Sequence, residues 1–294
     1  MKVFMPKSRA LYGELESALF LGRATHCNAD IYSVDGGSSP RLLEEVCRLR
    51  RESYRGVGVS LNDRAGSDIS DVDGTYRQIV VWDRERGEVV GGYRYAVGRD
   101  VSVERLSLNR YMSPSERFVQ EYLPCGVELG RSFVSPRYQS GGNALTIYAL
   151  DALWEGLAEV VKRERAEYLF GRVTLYDSMG VRGRNLLVGY MRHASPLRES
   201  LMVARAPFRV GMSLRRYNEI FIADMPQGNY KILLAQMREI GSRIPPIISS
   251  YLRLSPSLKL FDSYKNYDLG GVVECAIMLT VSEFYDNVKR RYQI

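Results

Sequence analysis

The residues with the clearest chemical potential lie in one segment, 126–144, which reads GVELGRSFVSPRYQSGGNA. Its first half has the pattern of a strand, in which alternate side chains face opposite sides. Glu128 would therefore lie on one face, and Arg131 and Phe133 on the other. A charged group in a central strand is costly unless it is paired or faces a cleft. Glu128 therefore either pairs with a basic residue of a neighbouring strand, such as Arg94, or acts on a substrate.

The second half of the segment has the pattern of an anion-binding turn. It fits the spacing Q-x-x-G-x-A and lies between the predicted strand and a long predicted helix. Glycines let the backbone approach a phosphate, while free N–H groups and the helix dipole favour its negative charge. The residues of this predicted turn are Gln139, Ser140, Gly141, Gly142 and Ala144.

This combination resembles a known family. Q-x-x-G-x-A after a central strand resembles the acyl-donor loop of the GNAT N-acyltransferase superfamily. ELGRSFVSPRYQ resembles the branch of ornithine-lipid and glycine-lipid N-acyltransferases, often labelled haemolysin-like, and is similar to acyl-homoserine-lactone synthases. LRRESY, SDISDVDGTYRQIVVWD, EVVGGYRY and IPPIISSYLRL resemble further parts of that branch. The resemblance covers pieces from residue 41 to about 281, and 196–244 contributes little.

The resemblance implies a set of catalytic residues. Glu128 would be the general base for the acceptor amine, directly or through water. Arg131 and Arg94 would shape the site or hold the acceptor carboxylate, for which a guanidinium is suited. Asp71 or Asp73 would be the acid of the family's loop, and the sequence leaves open which of them it is.

The resemblance also implies how the acyl donor binds. The cosubstrate would be an acyl carrier protein bearing a 4'-phosphopantetheine thioester, or acyl-CoA, with no tightly bound cofactor. Arg50 and Tyr54 would stand at the donor or acceptor entrance, although helix packing and a surface ion pair explain them equally well. The predicted donor-binding residues are Arg137, Gln139, Ser140, Gly141, Gly142 and Ala144.

Composition excludes several other classes of protein. The chain has 294 residues, of which 45% are hydrophobic and 26% charged, as in soluble globular proteins. It contains no uncharged apolar stretch of the roughly 18 residues that a spanning helix needs. Two histidines and scattered cysteines predict neither a metal site nor disulfides, which favours the cytoplasm. These residues are His26, His193, Cys27, Cys47, Cys125 and Cys275.

The charge is unevenly distributed along the chain. The formal net charge is +7, while residues 161–218 contain twelve basic and four acidic residues, a local net charge of +8. Such a region favours an acidic carrier protein, an anionic membrane surface or nucleic acid, although a solvated arginine-rich surface has the same composition. Aromatic residues are sparse there, so we expect no nucleic acid partner.

The order of predicted elements indicates an α/β fold of the α+β type, with a mixed central sheet flanked by helices, and the resemblance implies that this sheet is GNAT-like. We expect one domain with a core over about 41–195 and 245–294 and a helical and strand insertion over about 196–244. The predicted helices are 41–55, 143–165, 185–193 and one from Ser282. The predicted strands are 76–83, 88–97, 124–134, 168–175 and 270–281.

The resemblance implies an enzyme that transfers a long-chain, 3-hydroxylated fatty acyl group from acyl carrier protein to the α-amine of a small amino acid. Glycine and ornithine are the expected acceptors, and amino-acid lipid biosynthesis the expected process. The location would be the cytoplasm or the inner face of the membrane. The alternatives are a lactone-signal synthase that uses S-adenosylmethionine and a non-catalytic basic protein that binds membrane or nucleic acid.

Overall fold

A computed structural model describes residues 6–56, 69–139, 144–194, 200–211, 214–221 and 225–294. These residues form two compact units. The first unit comprises Met1–Val101, Val127–Ala166 and Tyr292–Ile294, and the second comprises Ser102–Gly126 and Glu167–Arg291. The expectation of one domain with an insertion over 196–244 stays a prediction.

The described elements follow the predicted α/β class. The helices are α1 (Pro6–Glu16), α2 (Pro40–Arg55), α3 (Ile69–Val72), α4 (Ala144–Glu164), α5 (Gly180–Ala194), α6 (Leu214–Ile220), α7 (Pro226–Glu239), α8 (Pro246–Leu254) and α9 (Asp286–Tyr292). The strands are β1 (Leu19–Arg23), β2 (Ala29–Asp35), β3 (Arg77–Asp83), β4 (Glu88–Val97), β5 (Met112–Pro114), β6 (Gly126–Val134), β7 (Tyr168–Leu175), β8 (Met202–Ala204), β9 (Lys259–Asn266) and β10 (Val272–Thr280).

The first unit is built on an antiparallel sheet with the strand order β1-β2-β3-β4-β6. Helix α2 covers one face, where Leu42 and Leu49 pack in one apolar cluster with Val80 of β3. Helix α4 covers the other face, where Gly156 lies against Ile79. Because consecutive residues of a strand face opposite sides, Val80 and Ile79 assign the two helices to different faces.

Helix α2 begins where the sequence predicts it. Pro40 is the first helical residue, a position at which the missing N–H would have no partner within the helix. Ser39 is the N-cap, and its carbonyl accepts a 2.9 Å hydrogen bond from the Leu43 amide. The residues that turn inward repeat at helical spacing. They are Leu42, Leu43, Val46, Cys47, Leu49, Arg50 and Ser53.

The second unit contains a three-stranded antiparallel sheet in the order β7-β10-β9 and the short pair β5-β8. Helix α5 begins at Gly180, five residues before the predicted start at residue 185. Gly180 and Gly183 disfavour a helix in the sequence pattern, so this first turn was not predicted. Gly183 is nevertheless needed there, because a Cβ atom would lie 2.4 Å from Ser242 Oγ. Helix α9 begins at Asp286, after a short 3-10 turn, rather than at Ser282.

None of the helices in the described ranges combines the length and the apolar character that crossing a lipid bilayer requires. Helix α4, with 21 residues, is the predicted long apolar helix. Most of it is buried, as expected, through residues such as Leu153 and Leu157. Ile147, near its start, remains 66% exposed.

Candidate active site

Strand β6, which carries Glu128, is interrupted by a bulge. Arg94 of β4 pairs with Gly130, and Gly92 pairs with Phe133. One residue of β4 therefore faces two residues of β6, which is the arrangement of a β-bulge. Arg131 lies in this bulge with a φ of 54°, a left-handed conformation that costs a residue with a side chain roughly 1–2 kcal/mol.

The bulge corrects one prediction. Strict alternation predicted that Glu128 and Phe133 lie on opposite faces of the sheet. The residues that they oppose on β4, Ala96 and Gly92, lie an even number of positions apart. Glu128 and Phe133 therefore share a face, the one that α2 covers, because the extra residue reverses the alternation beyond Gly130.

The Glu128 side chain is fully buried. Its carboxylate accepts a hydrogen bond from the hydroxyl of Tyr76, the residue that precedes β3. Glu128 lies directly opposite Ala96 of β4, and the register of β3 and β4, in which Arg77 opposes Tyr95, places Tyr76 opposite Ala96 on the other side. The small alanine side chain lets two residues from non-adjacent strands meet above it.

An arginine stacks on the tyrosine that holds Glu128. The Arg94 guanidinium lies 4.1 Å from the centre of the Tyr76 ring, a distance at which the ring's π system attracts the cation. Arg94 Nη1 also lies 3.3 Å from Asp71 Oδ1, and both side chains are almost fully buried. The Tyr76 ring therefore lies between a cation and the carboxylate to which it donates.

Asp71 joins a second buried arginine to this arrangement. Its Oδ2 atom lies 3.1 Å from Arg50 Nη1, and its Oδ1 atom accepts a 3.0 Å hydrogen bond from Gln78 Nε2. Arg50 Nη2 in turn donates to Gln78 Oε1 at 2.9 Å. We call this set the buried polar network; it comprises Arg50, Asp71, Tyr76, Gln78, Arg94 and Glu128.

The structure distinguishes the two candidate loop acids. Asp71 is buried in the network, whereas Asp73 is exposed and accepts hydrogen bonds from the amide and hydroxyl of Thr75 at 2.9 and 2.6 Å. The position of Asp71 depends on Gly36 at the end of β2. A Cβ atom at residue 36 would lie 2.0 Å from the Asp71 carbonyl oxygen, so any side chain would displace this segment.

The first residue of the predicted donor turn and the residue before it are anchored to the rest of the first unit. Gln139 Nε2 donates to Ser53 Oγ at 2.6 Å and to the Val134 carbonyl at 2.5 Å. The Tyr138 hydroxyl donates towards Asp83, at 2.9 Å. Burial, together with the neighbouring carboxylates, raises the pKa of Tyr138, which keeps this hydroxyl protonated.

The other predicted donor residues have separate surroundings. Arg137 forms a surface ion pair with Glu88 at 3.0 Å. Ala144 is the first residue of α4, while Ser140, Gly141 and Gly142 lie outside the described residues.

The two predicted entrance residues are engaged with the protein. Arg50 belongs to the buried polar network, and its side chain is 1% exposed. The Tyr54 hydroxyl donates to the Ser132 carbonyl at 3.1 Å. Ser53, its neighbour, donates to the Val134 carbonyl at 3.0 Å, so α2 is bound to the part of β6 that follows the bulge.

The formal charge of residues 161–218 overstates their positive surface. Several of these basic residues lie within ion-pair distance of a carboxylate, which neutralises them locally. They also divide between the two units, since Ala166 ends a segment of the first. The ion pairs are Lys162–Glu159, Arg172–Glu274, Arg184–Asp177, Arg192–Asp262 and Arg215–Glu219.

Sequence reasoning missed Tyr76, Gln78 and Ala96. Gln78 gives the one usable signal, because it is a polar residue within the apolar strand pattern of β3 and is 1% exposed. A buried amide in a strand needs partners, and this requirement points to the network. Nothing in the sequence marks Ala96, whose role depends on the register of three strands.

The second unit contains a different buried carboxylate, Glu274 of β10. Its Oε2 atom accepts hydrogen bonds from the Tyr264 hydroxyl at 2.8 Å and from Asn266 Nδ2 at 2.9 Å. Thr174 Oγ1 donates to its Oε1 atom at 3.3 Å, and Arg172 Nη1 lies 3.6 Å from Oε2. Strands on both sides of β10 thus supply donors.

Comparison with known proteins places the chain in a family. Residues 49–149 match the family model described as an acetyltransferase (GNAT) domain. A glycine N(alpha)-acyltransferase of Bacteroides thetaiotaomicron is 33% identical over an alignment of 300 positions, which covers 99% of this chain and 89% of that protein. The chain belongs to this family of GNAT acyltransferases. A protein of the same name from Phocaeicola vulgatus is 33% identical over 271 residues, which cover 90% of this chain and 83% of that protein.

The predicted GNAT fold and the predicted enzyme class are therefore confirmed: the protein is an N-acyltransferase. A solved N-acyl amino acid synthase from uncultured soil microbes has a TM-score of 0.45 and 9% identity, with 88% of this chain and 94% of that chain covered. The matched GNAT segment of the acyltransferase, residues 49–149, contains every residue predicted for its site.

Proposed function

We propose that this acyltransferase transfers a long-chain fatty acyl group from a phosphopantetheine thioester to the α-amine of glycine. The observation that carries the proposal is the Glu128 carboxylate, held by the Tyr76 hydroxyl within the segment that matches the GNAT domain. The relatives named glycine N(alpha)-acyltransferase, which align with most of the chain, support glycine as the acceptor.

Glu128 is proposed as the general base. An amine is mostly protonated at neutral pH, and a positioned base accelerates its attack by roughly 10²- to 10⁴-fold. Because the carboxylate is fully buried, the proton would reach it through a relay. The Tyr76 hydroxyl, which already donates to the carboxylate, or a water molecule can fill that position.

The reaction then needs no covalent enzyme intermediate. The amine nitrogen attacks the thioester carbonyl carbon as its proton passes to the relay, and a C–N bond forms. The tetrahedral intermediate collapses, the C–S bond breaks, and the thiolate leaves and takes up a proton. We place the thioester oxygen at the backbone of the bulge near Arg131, where N–H groups would stabilise the oxyanion.

The arginines are proposed to have different tasks. Arg131 lies in the bulge and is half-buried, and its guanidinium would bind the carboxylate of glycine with two parallel hydrogen bonds. Arg94 is held by Asp71 and by the Tyr76 ring. It would keep Tyr76 and Glu128 in position rather than contact the acceptor.

The donor is proposed to be a 3-hydroxyacyl carrier protein, with acyl-CoA as the other source of the same thioester. The turn over residues 139–144 would bind the phosphopantetheine, because its start is anchored through Gln139 to α2 and β6. The chain's net charge of +7 favours an acidic partner.

The test is a thiol-release assay with the purified chain. We expect 3-hydroxyhexadecanoyl carrier protein and glycine to release free carrier thiol, and mass spectrometry to identify the N-acylglycine. Parallel reactions with ornithine, serine and alanine test the acceptor, and 3-hydroxyhexadecanoyl-CoA tests the donor. Failure to release thiol with any acceptor and either donor would contradict the proposal. Higher activity with CoA than with the carrier protein would contradict only the choice of donor.

A further inference from the structure

The second unit contains a cavity of about 340 Å³, and none of the predicted catalytic or donor-binding residues that the structure describes lines it. Its walls come from α5, α7, α8 and α9 and from the segment that follows α8. This volume lies in the lower range of small-molecule pockets, which is roughly 300–1,000 Å³. The cavity is therefore large enough for a single alkyl chain.

The buried side chains that line the cavity are mostly apolar, with Ser255 as a polar exception. Met191 of α5, Leu252 of α8 and Leu258 all line it and are almost fully buried. Tyr190 contributes a buried aromatic ring beside Met191. Such a wall offers an acyl chain dispersion contacts and removes its methylene groups from water.

Two cations lie at the margin of the same cavity. Lys231 of α7 and Arg253 of α8 line it and are exposed. No Asp or Glu is among the described residues that line the cavity. Among the described residues, moreover, neither cation forms an ion pair with a carboxylate, and Arg253 Nε donates to the Ser249 carbonyl of its own helix at 3.3 Å.

We propose that this cavity binds a single-chain amphiphile with a carboxylate head group, such as a free fatty acid or an N-acyl amino acid. The chain occupies the apolar wall at Met191, Leu252 and Leu258, and the carboxylate lies between Lys231 and Arg253. The apolar wall matches the alkyl chain of such a molecule, and the two cations match its carboxylate.

The test measures binding alone, without acyl donor or acceptor, so its result does not depend on the proposed function. The full chain is titrated calorimetrically with dodecanoate, with N-dodecanoylglycine and with dodecyltrimethylammonium, each below its aggregation concentration. We expect saturable binding of the two carboxylates. Lengthening the chain from decanoate to dodecanoate should tighten binding about fourfold per methylene. Whichever of dodecanoate and N-dodecanoylglycine binds more tightly shows whether the cavity prefers a free fatty acid or an N-acyl amino acid.

Charge reversal provides the decisive comparison. We expect Lys231→Glu combined with Arg253→Glu to weaken dodecanoate binding at least tenfold. Arg238→Glu combined with Lys265→Glu changes the net charge equally at exposed positions outside the cavity, and should leave affinity within twofold. Three results would overturn the proposal: equal losses in both double variants, equal binding of dodecyltrimethylammonium, or displacement of dodecanoate by lower concentrations of coenzyme A.

Discussion

Glu128 and Glu274 are both buried strand carboxylates, and each accepts a hydrogen bond from a tyrosine hydroxyl. Glu274 lies directly opposite Thr174 on one neighbouring strand and Tyr264 on the other, and both donate to it. Glu128 lies opposite an alanine and is bound by a tyrosine from one strand further away. It also lies three residues before the strained bulge at Arg131.

This difference shows that the burial of a carboxylate beside a tyrosine is not by itself evidence of a catalytic role. Around Glu274 the adjacent strands satisfy the carboxylate, which is what a structural ion pair in a sheet requires. Around Glu128 the sheet departs from its regular form, with Gly130, Arg131 and Ser132 half-buried beyond it. Strained backbone of this kind is concentrated at functional sites, so the bulge separates the catalytic candidate from the structural one.

The strongest test of this comparison is to neutralise each carboxylate in turn. Glu128→Gln should reduce turnover by about 10²- to 10⁴-fold, because a neutral amide cannot accept the amine's proton. Glu274→Gln should leave turnover per folded molecule within a few-fold while lowering the free energy of unfolding by at least about 2 kcal/mol, since it weakens hydrogen bonds to a charged group. Thiol release and urea unfolding measure the two effects.

If Glu128→Gln and Glu274→Gln lost turnover equally, after correction for the folded fraction, the distinction between a catalytic and a structural carboxylate would not hold. Full activity of Glu128→Gln would contradict the role of general base directly.

A second test removes only the tyrosine hydroxyls. Tyr76→Phe and Tyr264→Phe each delete one hydrogen bond to a carboxylate, which should cost about 1.5–3 kcal/mol of unfolding free energy. Because Tyr76 is the proposed relay, its variant should also lose about tenfold in turnover, equivalent to about 1.4 kcal/mol. The Tyr264 variant should keep its turnover within twofold. Equal turnover in both variants would contradict the role of Tyr76 as the relay and favour a water molecule in that position.

The smallest expected effect concerns the backbone of the bulge. At φ 54° glycine is unstrained, so Arg131→Gly should be more stable than Arg131→Ala by about 1 kcal/mol. In the regular strand beside Glu274 the order should reverse, with Thr174→Ala more stable than Thr174→Gly by about 0.5–1 kcal/mol. Urea midpoints of the four variants check both orders. If Arg131→Ala is as stable as Arg131→Gly or more stable, residue 131 carries no strain.

The sequence predicts much of this architecture because its information is local. Apolar spacing identifies α2 and α4, and short runs of apolar, β-branched and aromatic residues identify β3, β4 and β7 to within a residue. The failures arise from contacts between distant segments. The start of α5 is obscured by Gly183, which is needed for its contact with Ser242.

In the candidate active site, too, the predictions failed where contacts join distant segments. Glu128, Arg94 and Asp71 were predicted through a family resemblance, and the structure brings them into one buried polar network. Tyr76 and Gln78 were missed, because only the pairing of β3 with β4 and β6 reveals which residues they approach. The bulge is likewise invisible in the sequence, since an arginine gives no sign of a positive φ.

Ala96 sets a limit on how chains of this kind can vary. Tyr76 and Glu128 meet across its methyl group, so a valine or leucine there would separate the hydroxyl from the carboxylate without touching either reactive atom. Relatives that keep tyrosine and glutamate at the equivalent positions should therefore keep alanine or glycine between them. A larger side chain at residue 96 would therefore slow the proposed reaction, to about the extent expected for Tyr76→Phe, while the fold persists.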